Sequence, residues 1–200
     1  MNLKVPQRFE SAEFEVKKSR FIAWAVPVTS RQEAMQWVNR AREEFPDARH
    51  HCWAYQLGDS AVATHAAAND DGEPSGTAGR PILSVIQHKN IGNVLVIVIR
   101  YFGGVKLGAG GLVRAYSGAT ELVLSTLPVQ TPVLMTHARV SCEFAHEQII
   151  RHFSEQHQAQ VLNVEYSQHV RIRIELPTEH ASAFESLCAS LGAHVEFNVD

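Results

Sequence analysis

Nothing in this sequence approaches the roughly 18 consecutive apolar residues that a membrane span needs, and its first ten residues, MNLKVPQRFE, lack the apolar run of a secretory signal. Cysteine is scarce. Cys52, Cys142 and Cys188 are odd in number, far apart and outside any CxxC pair, which argues against a disulfide framework and for free thiols in a reducing compartment. A strong charge of one sign is also missing: the net charge is −3 and the pI near 6.4, so a nucleic-acid role would need a local basic patch. Repeats and low-complexity segments are absent too. These absences predict a cytoplasmic globular protein with no membrane contact.

What is present is 45% hydrophobic residues in 200, enough to bury a real core in one large domain or two small ones. The stretch from Phe9 to Val28 reads as two strands around a basic break, Lys17-Lys18-Ser19-Arg20. Ser30-Arg31-Gln32-Glu33 has the spacing of a capping box and predicts a helix that Pro46 ends. A strand through HHCWAYQL follows, then a short helix over PILSVIQHKN stopped by Gly92. VLVIVI, Val94 to Ile99, has no alternation, as expected of a central strand covered on both faces. The next helix carries Leu112, Ala115, Tyr116, Ala119, Leu122 and Val123 on one side.

LPVQTPV, Leu127 to Val133, is the expected boundary between domains 1–130 and 131–200. Beyond it, Ala138, Val140, Cys142 and Phe144 alternate along a strand, and a helix follows. A hairpin then sets Leu162, Val164 and Tyr166 against Val170, Ile172, Ile174 and Leu176. A second helix ends at Gly192 before a last strand. That order, βαββαβ, is the ferredoxin-like pattern, and the fold class is α+β with two α/β sandwich modules.

The chemistry concentrates in two stretches, DDGEPSGTAGRPIL from Asp70 and RYFGGVKLGAGGLVRAYSGA from Arg100. The second follows a central strand and opens a helix, the place where backbone N–H groups and the helix dipole favour an anion. Lys106 and Arg114 lie in the loop and its helix, with Arg100 and Tyr101 at the strand end. Nucleotide motifs do not fit: Gly103 and Gly108 have P-loop spacing, but Ala109 stands where lysine is required, and Val113 breaks a dinucleotide fingerprint begun at Gly108. Ser75 lacks a nucleophile elbow. Asp70, Asp71 and Glu73 offer oxygens to Mg²⁺, but no second acidic cluster completes a two-metal site. His50 and Cys52 share one face of a strand while His51 faces the other, so the three cannot chelate one zinc. Lys17, Lys18 and Arg20 beside Phe21 and Trp24 suit either RNA contact or a solvated turn. Arg139, Arg171 and Arg173 share a face with Glu143, Glu165 and Glu175, as a solvated surface would.

KKSRF, ARHHCWAY and the two glycine-bearing stretches, in this order and at these separations, resemble the YigZ/IMPACT family over residues 1–130, and the second module resembles the companion domain of its bacterial members. The resemblance implies a first module like a domain of a small-subunit ribosomal protein, and a pair arranged like the last two domains of the translocating elongation factor. It implies a link to RNA or the ribosome rather than an established reaction. Eukaryotic members restrain a stress-activated initiation kinase largely through an extra N-terminal domain, so that activity is not carried over here. The site residues it implies are Lys18, Ser19, Arg20, His50, His51, Asp70, Asp71, Glu73, Ser75 and Thr77, with Arg100, Tyr101, Lys106, Gly108, Gly110, Gly111 and Arg114.

The expectation is therefore a non-catalytic, translation-associated protein that binds RNA, the ribosome or another phosphate-bearing ligand through the glycine loops, with no cofactor and no metal. Two alternatives stay open: a metal-assisted hydrolase using His50 or His51 with Asp70 and Asp71, and a regulatory module that docks a protein on its C-terminal domain.

Overall fold

The computed structural model describes residues 3–58 and 65–198, and the chain divides into two compact units, residues 1–132 and 133–200. The first is built on a five-stranded antiparallel sheet. Its strands are β2 (Glu10–Val16), β3 (Ser19–Pro27), β4 (His50–Leu57), β5 (His65–Asn69) and β6 (Val94–Tyr101), in the order β2-β3-β6-β4-β5. A short pair, β1 (Val5–Pro6) with β7 (Val129–Gln130), ties the ends of this unit together.

Period-two alternation on β6 explains the layers. Val94, Val96 and Val98 face α2 (Gly79–His88) and α3 (Ala109–Thr126), packing with Ile82, Ile86, Tyr116 and Val123. Leu95, Ile97 and Ile99 face α1 (Arg31–Glu44), packing with Val38 and Ala41. Helices on both faces are why VLVIVI shows no polar alternation, although both neighbours of β6 pair with it antiparallel. β3 and β4 flank β6 and run parallel to each other, so β3-α1-β4 is a βαβ unit with a strand inserted.

Local chemistry sets several boundaries. Ser30 caps α1, its Oγ accepting the Glu33 N–H at 3.2 Å, while the Glu33 carboxylate accepts the Thr29 N–H at 2.8 Å. Lys17 and Lys18 hold φ of 47° and 64° in a two-residue turn between β2 and β3. Ser19 and Arg20 thus belong to β3, and the basic break is shorter than expected. α2 stops at His88, before Gly92, where Asn90 turns left-handed at φ 57°. Leu122 is exposed on α3, and Thr120 and Leu124 join the buried stripe instead.

The second unit is β8 (Met135–Cys142), α4 (Glu147–Gln156), β9 (Gln160–Tyr166), β10 (Val170–Pro177), α5 (Ala181–Ser190) and β11 (His194–Phe197). The sheet order β11-β8-β10-β9, all antiparallel, is the ferredoxin-like arrangement. Val140, Ile150, Ile172, Ile174 and Phe184 form its core. Phe144 does not continue the inward alternation; it lies beyond β8 in a 3₁₀ turn and is exposed. Leu162 and Tyr166 are exposed as well. A register shift on β9 sets Val164 opposite Ile172 but Val161 opposite Ile174, so Val161 takes the inward place that alternation assigns to Leu162.

Candidate functional site

The acidic loop between β5 and α2 spends most of its charge on its own architecture. Asp70 reaches forward to accept N–H bonds from Gly76 at 2.8 Å, Ala78 at 3.0 Å and Gly79 at 2.8 Å, capping α2 from eight residues upstream. Burial pushes its carboxyl upward, but those three bonds outweigh it and hold Asp70 below the ordinary aspartate value. Asp71, at φ 43°, accepts Arg42 of α1 at 2.8 Å and the His51 N–H at 2.7 Å. Thr77 donates to the Pro74 carbonyl at 2.6 Å, and Ser75 is exposed.

Glu73 behaves differently. Its side chain is 4% exposed, and Oε1 accepts from Arg100 Nη1 at 2.5 Å and from the Tyr116 hydroxyl at 2.8 Å. Cys52 Sγ lies 3.3 Å from that hydroxyl and 3.0 Å from the Asp70 carbonyl. Burial pushes both the Cys52 thiol and the Tyr116 phenol far up, so each stays protonated and serves as a donor. Arg100 is 7% exposed at its side chain, and its Nε N–H has no acceptor among the described residues.

His50 and His51 separate as strand geometry requires. His50 Nδ1 lies 2.8 Å from the Asp71 carbonyl, which can only accept; the ring therefore carries its proton on Nδ1. Nε2 stands 3.9 Å from Glu73 Oε1. His51 is buried on the other face, with Nε2 3.2 Å from the Phe45 carbonyl. Burial lowers its pKa against the opposing pull of Asp71, so it is a neutral brace between β4 and the end of α1.

The glycine loop encloses the space beside these groups. A Cβ on Gly103 would sit 1.9 Å from the Lys18 carbonyl oxygen, so only glycine lets this loop lie on the β2–β3 turn; there the Gly103 N–H donates to buried Ser19 Oγ at 3.2 Å. Gly108, at φ 72° and ψ 166°, occupies a region open essentially to glycine alone and begins α3 with no side-chain cap. The N–H groups of Ala109, Gly110 and Gly111 in the first turn lack intrahelical partners. Gly108 and Ala109, where the helix begins, line a cavity of about 440 Å³ whose wall also includes Arg49, His50, Glu73, Arg100, Phe102, Lys106 and Leu112.

Among the expected site residues, this cavity gathers His50, Glu73, Arg100, Lys106 and Gly108. Lys18, Ser19, Arg20, Tyr101, Gly110, Gly111 and Arg114 are not in its wall, nor are His51, Asp70, Asp71, Ser75 and Thr77. Arg20 is paired with Glu13 at 2.6 Å, and Tyr101 packs on the α1 side of the sheet, opposite Arg100. Arg49 and Phe102 were not among the expected site residues, though both lie inside the motifs ARHHCWAY and RYFGGVKLGAGGLVRAYSGA. Among the described residues, no group of three or more His, Cys, Asp and Glu is placed to hold a metal ion.

The Impact N-terminal domain family matches residues 17–124, over half the chain. The IMPACT family member YigZ of Escherichia coli is 35% identical over 175 residues, covering 88% of this chain and 86% of that one. This chain belongs to the IMPACT family. YvyE of Bacillus subtilis, another member, is 34% identical over 179 residues, covering 90% of this chain and 82% of its own length. Residues 140–193 match a second family, Domain of unknown function (DUF1949). A crystal structure titled only as a hypothetical protein superposes over 98% of this chain and 96% of its own, with a TM-score of 0.70 at 32% identity. The two-domain translational regulator Yih1 is 26% identical over 59% of this chain and 46% of its own, with a TM-score of 0.40. No helix among the described residues is long and apolar enough to cross a membrane.

Proposed function

We propose that this protein is a translation-associated regulator that binds RNA phosphate in the cavity at the start of α3, without catalysing a reaction on it. One observation carries the reading. An uncapped N-terminus of an 18-residue helix opens into the same cavity as Arg49, Arg100 and Lys106. The helix dipole and its unpaired N–H groups favour an anion, and two cations without ion-pair partners among the described residues, Arg49 and Lys106, line the same cavity beside Arg100, whose charge Glu73 offsets. The neighbouring Phe102, 46% exposed, offers a ring on which a base can stack. The association with translation draws on the family, whose members include a translational regulator. Its setting in the cytoplasm accords with Cys52, Cys142 and Cys188 as free thiols.

The metal-assisted alternative is less well served. Asp70 gives its oxygens to backbone N–H groups, Asp71 gives its own to Arg42 and the His51 N–H, and the two histidines sit on opposite faces of β4. The test is fluorescence anisotropy with ribosomal RNA fragments and tRNA, beside a DNA control. RNA binding that weakens steeply with salt and is reduced by Lys106→Ala is the expected outcome. Absence of RNA binding even at low salt would remove the reading.

A further inference from the structure

The charge balance of the α3 cavity selects among phosphates. Arg49 and Lys106 are exposed in its wall and have no ion-pair partner among the described residues, whereas Arg100 is offset by Glu73. With the half-charge of a helix N-terminus, the wall carries about +2.5 before His50 is counted. An internal phosphodiester brings a single negative charge and two ester oxygens that block close approach. A terminal phosphate monoester brings nearly two charges and three free oxygens, enough to meet the start of α3 at Gly108 and Ala109 and two side-chain cations together. Arg100 also lines the cavity, and its Nε N–H, itself buried, has no acceptor among the described residues. Leu107 and Leu112 give the cavity an apolar flank beside the phosphate position.

We infer that the cavity is a reader of terminal phosphate: it holds the phosphate monoester of a nucleotide, at the end of an RNA chain or free as a mononucleotide. This rests on the proposed binding of RNA phosphate at α3 and narrows it. The phosphate lies over the first turn of α3 between Arg49 and Lys106, and the attached nucleoside runs along the apolar flank toward Phe102.

The test uses the full-length protein and one oligoribonucleotide sequence in three forms: 5′-phosphate, 3′-phosphate, and hydroxyl at both ends. AMP serves as competitor. One end-phosphorylated form is expected to bind about tenfold more tightly than the hydroxyl form, ~1.4 kcal/mol. Arg49→Ala and Lys106→Ala should each erase that increment while leaving the thermal midpoint unchanged, and AMP should compete where adenosine does not. Equal, salt-sensitive binding of all three forms would overturn the inference and leave the RNA reading standing. Binding of AMP alone, lost in Lys106→Ala, would uphold the monoester site and overturn the RNA reading. Binding of none of them would overturn both.

Discussion

The two units of this chain solve the same packing problem with different materials. The core of the second unit is apolar; its one buried polar side chain among the described residues is Ser154, whose hydroxyl donates to the Ile150 carbonyl in its own helix. Its ion pairs, such as His137 with Glu175 and Arg151 with Glu147, lie at the surface. The first unit buries Ser19, His51, Gln56, Glu73, Thr77, Arg100 and Thr120, and runs a hydrogen-bonded chain from Arg100 through Glu73 and Tyr116 toward Cys52. Buried charge is costly unless fully partnered, and it does not improve on a hydrophobic core for stability. A fold that keeps it at one end of one sheet, against a cavity, uses it to aim side chains. The contrast accords with the proposed site in the first unit.

The sharpest way to break this comparison is to remove one member of the buried pair. Glu73→Ala leaves Arg100 charged and alone in the core and should cost about 3–5 kcal/mol in urea denaturation. Glu175→Ala, its counterpart in the second unit, should change stability by less than about 0.5 kcal/mol. A double Glu73→Leu, Arg100→Met variant should recover part of the loss, since the uncompensated charge is gone. Comparable costs for Glu73→Ala and Glu175→Ala would show that the buried network is not what distinguishes the units.

A smaller effect concerns the acidic loop. Asp70→Ala removes the acceptor for three N–H groups at the start of α2 and should cost about 2 kcal/mol. The pH profile follows from two shifted groups of the first unit. His51 is held below its ordinary value in the folded chain, so the unfolded chain binds the extra proton, and stability falls as pH drops below about 6.5. Asp70 is also held low. Its contribution is complete above the ordinary aspartate range and is lost as pH falls through the folded value, below about 4. Denaturation midpoints across pH should therefore show two declines toward acid, and Asp70→Asn should shrink the lower one, leaving what Glu13 adds, since Arg20 also holds its carboxyl low.

The smallest structural effect accompanies the largest functional one. Lys106→Ala and Arg49→Ala, both exposed, should leave stability within about 0.5 kcal/mol of the parent while weakening RNA binding.

Much of the fold was legible because local signals agreed with the tertiary outcome. The Ser30 cap, the VLVIVI strand and the alternation of Val170, Ile172, Ile174 and Leu176 each depend on residues that solve a local and a global requirement together. β5 was not legible: HAAAN has little strand preference and is a strand because β4 supplies its hydrogen bonds. The β9 register shift was hidden as well, since either parity of that strand offers apolar residues. The candidate site divides in the same way. The glycine loop pointed to an anion through its position before a helix. The separate duties of Asp70, Asp71 and Glu73 depend on which way each side chain leaves a tight turn, with Asp71 left-handed, and composition does not encode that. Tyr116 passed for a member of an apolar helix stripe because its ring is one; its hydroxyl finds Glu73 only through long-range folding.

The central claim is that the α3 cavity contacts RNA phosphate, and the most direct test is the salt dependence of RNA binding for the parent and for the Arg49→Ala, Lys106→Ala double variant. The account predicts a linear fall of log K with log salt in the parent and a slope shallower by about two in the double variant, one for each cation removed. Superimposable lines for the two proteins at every salt concentration would contradict it.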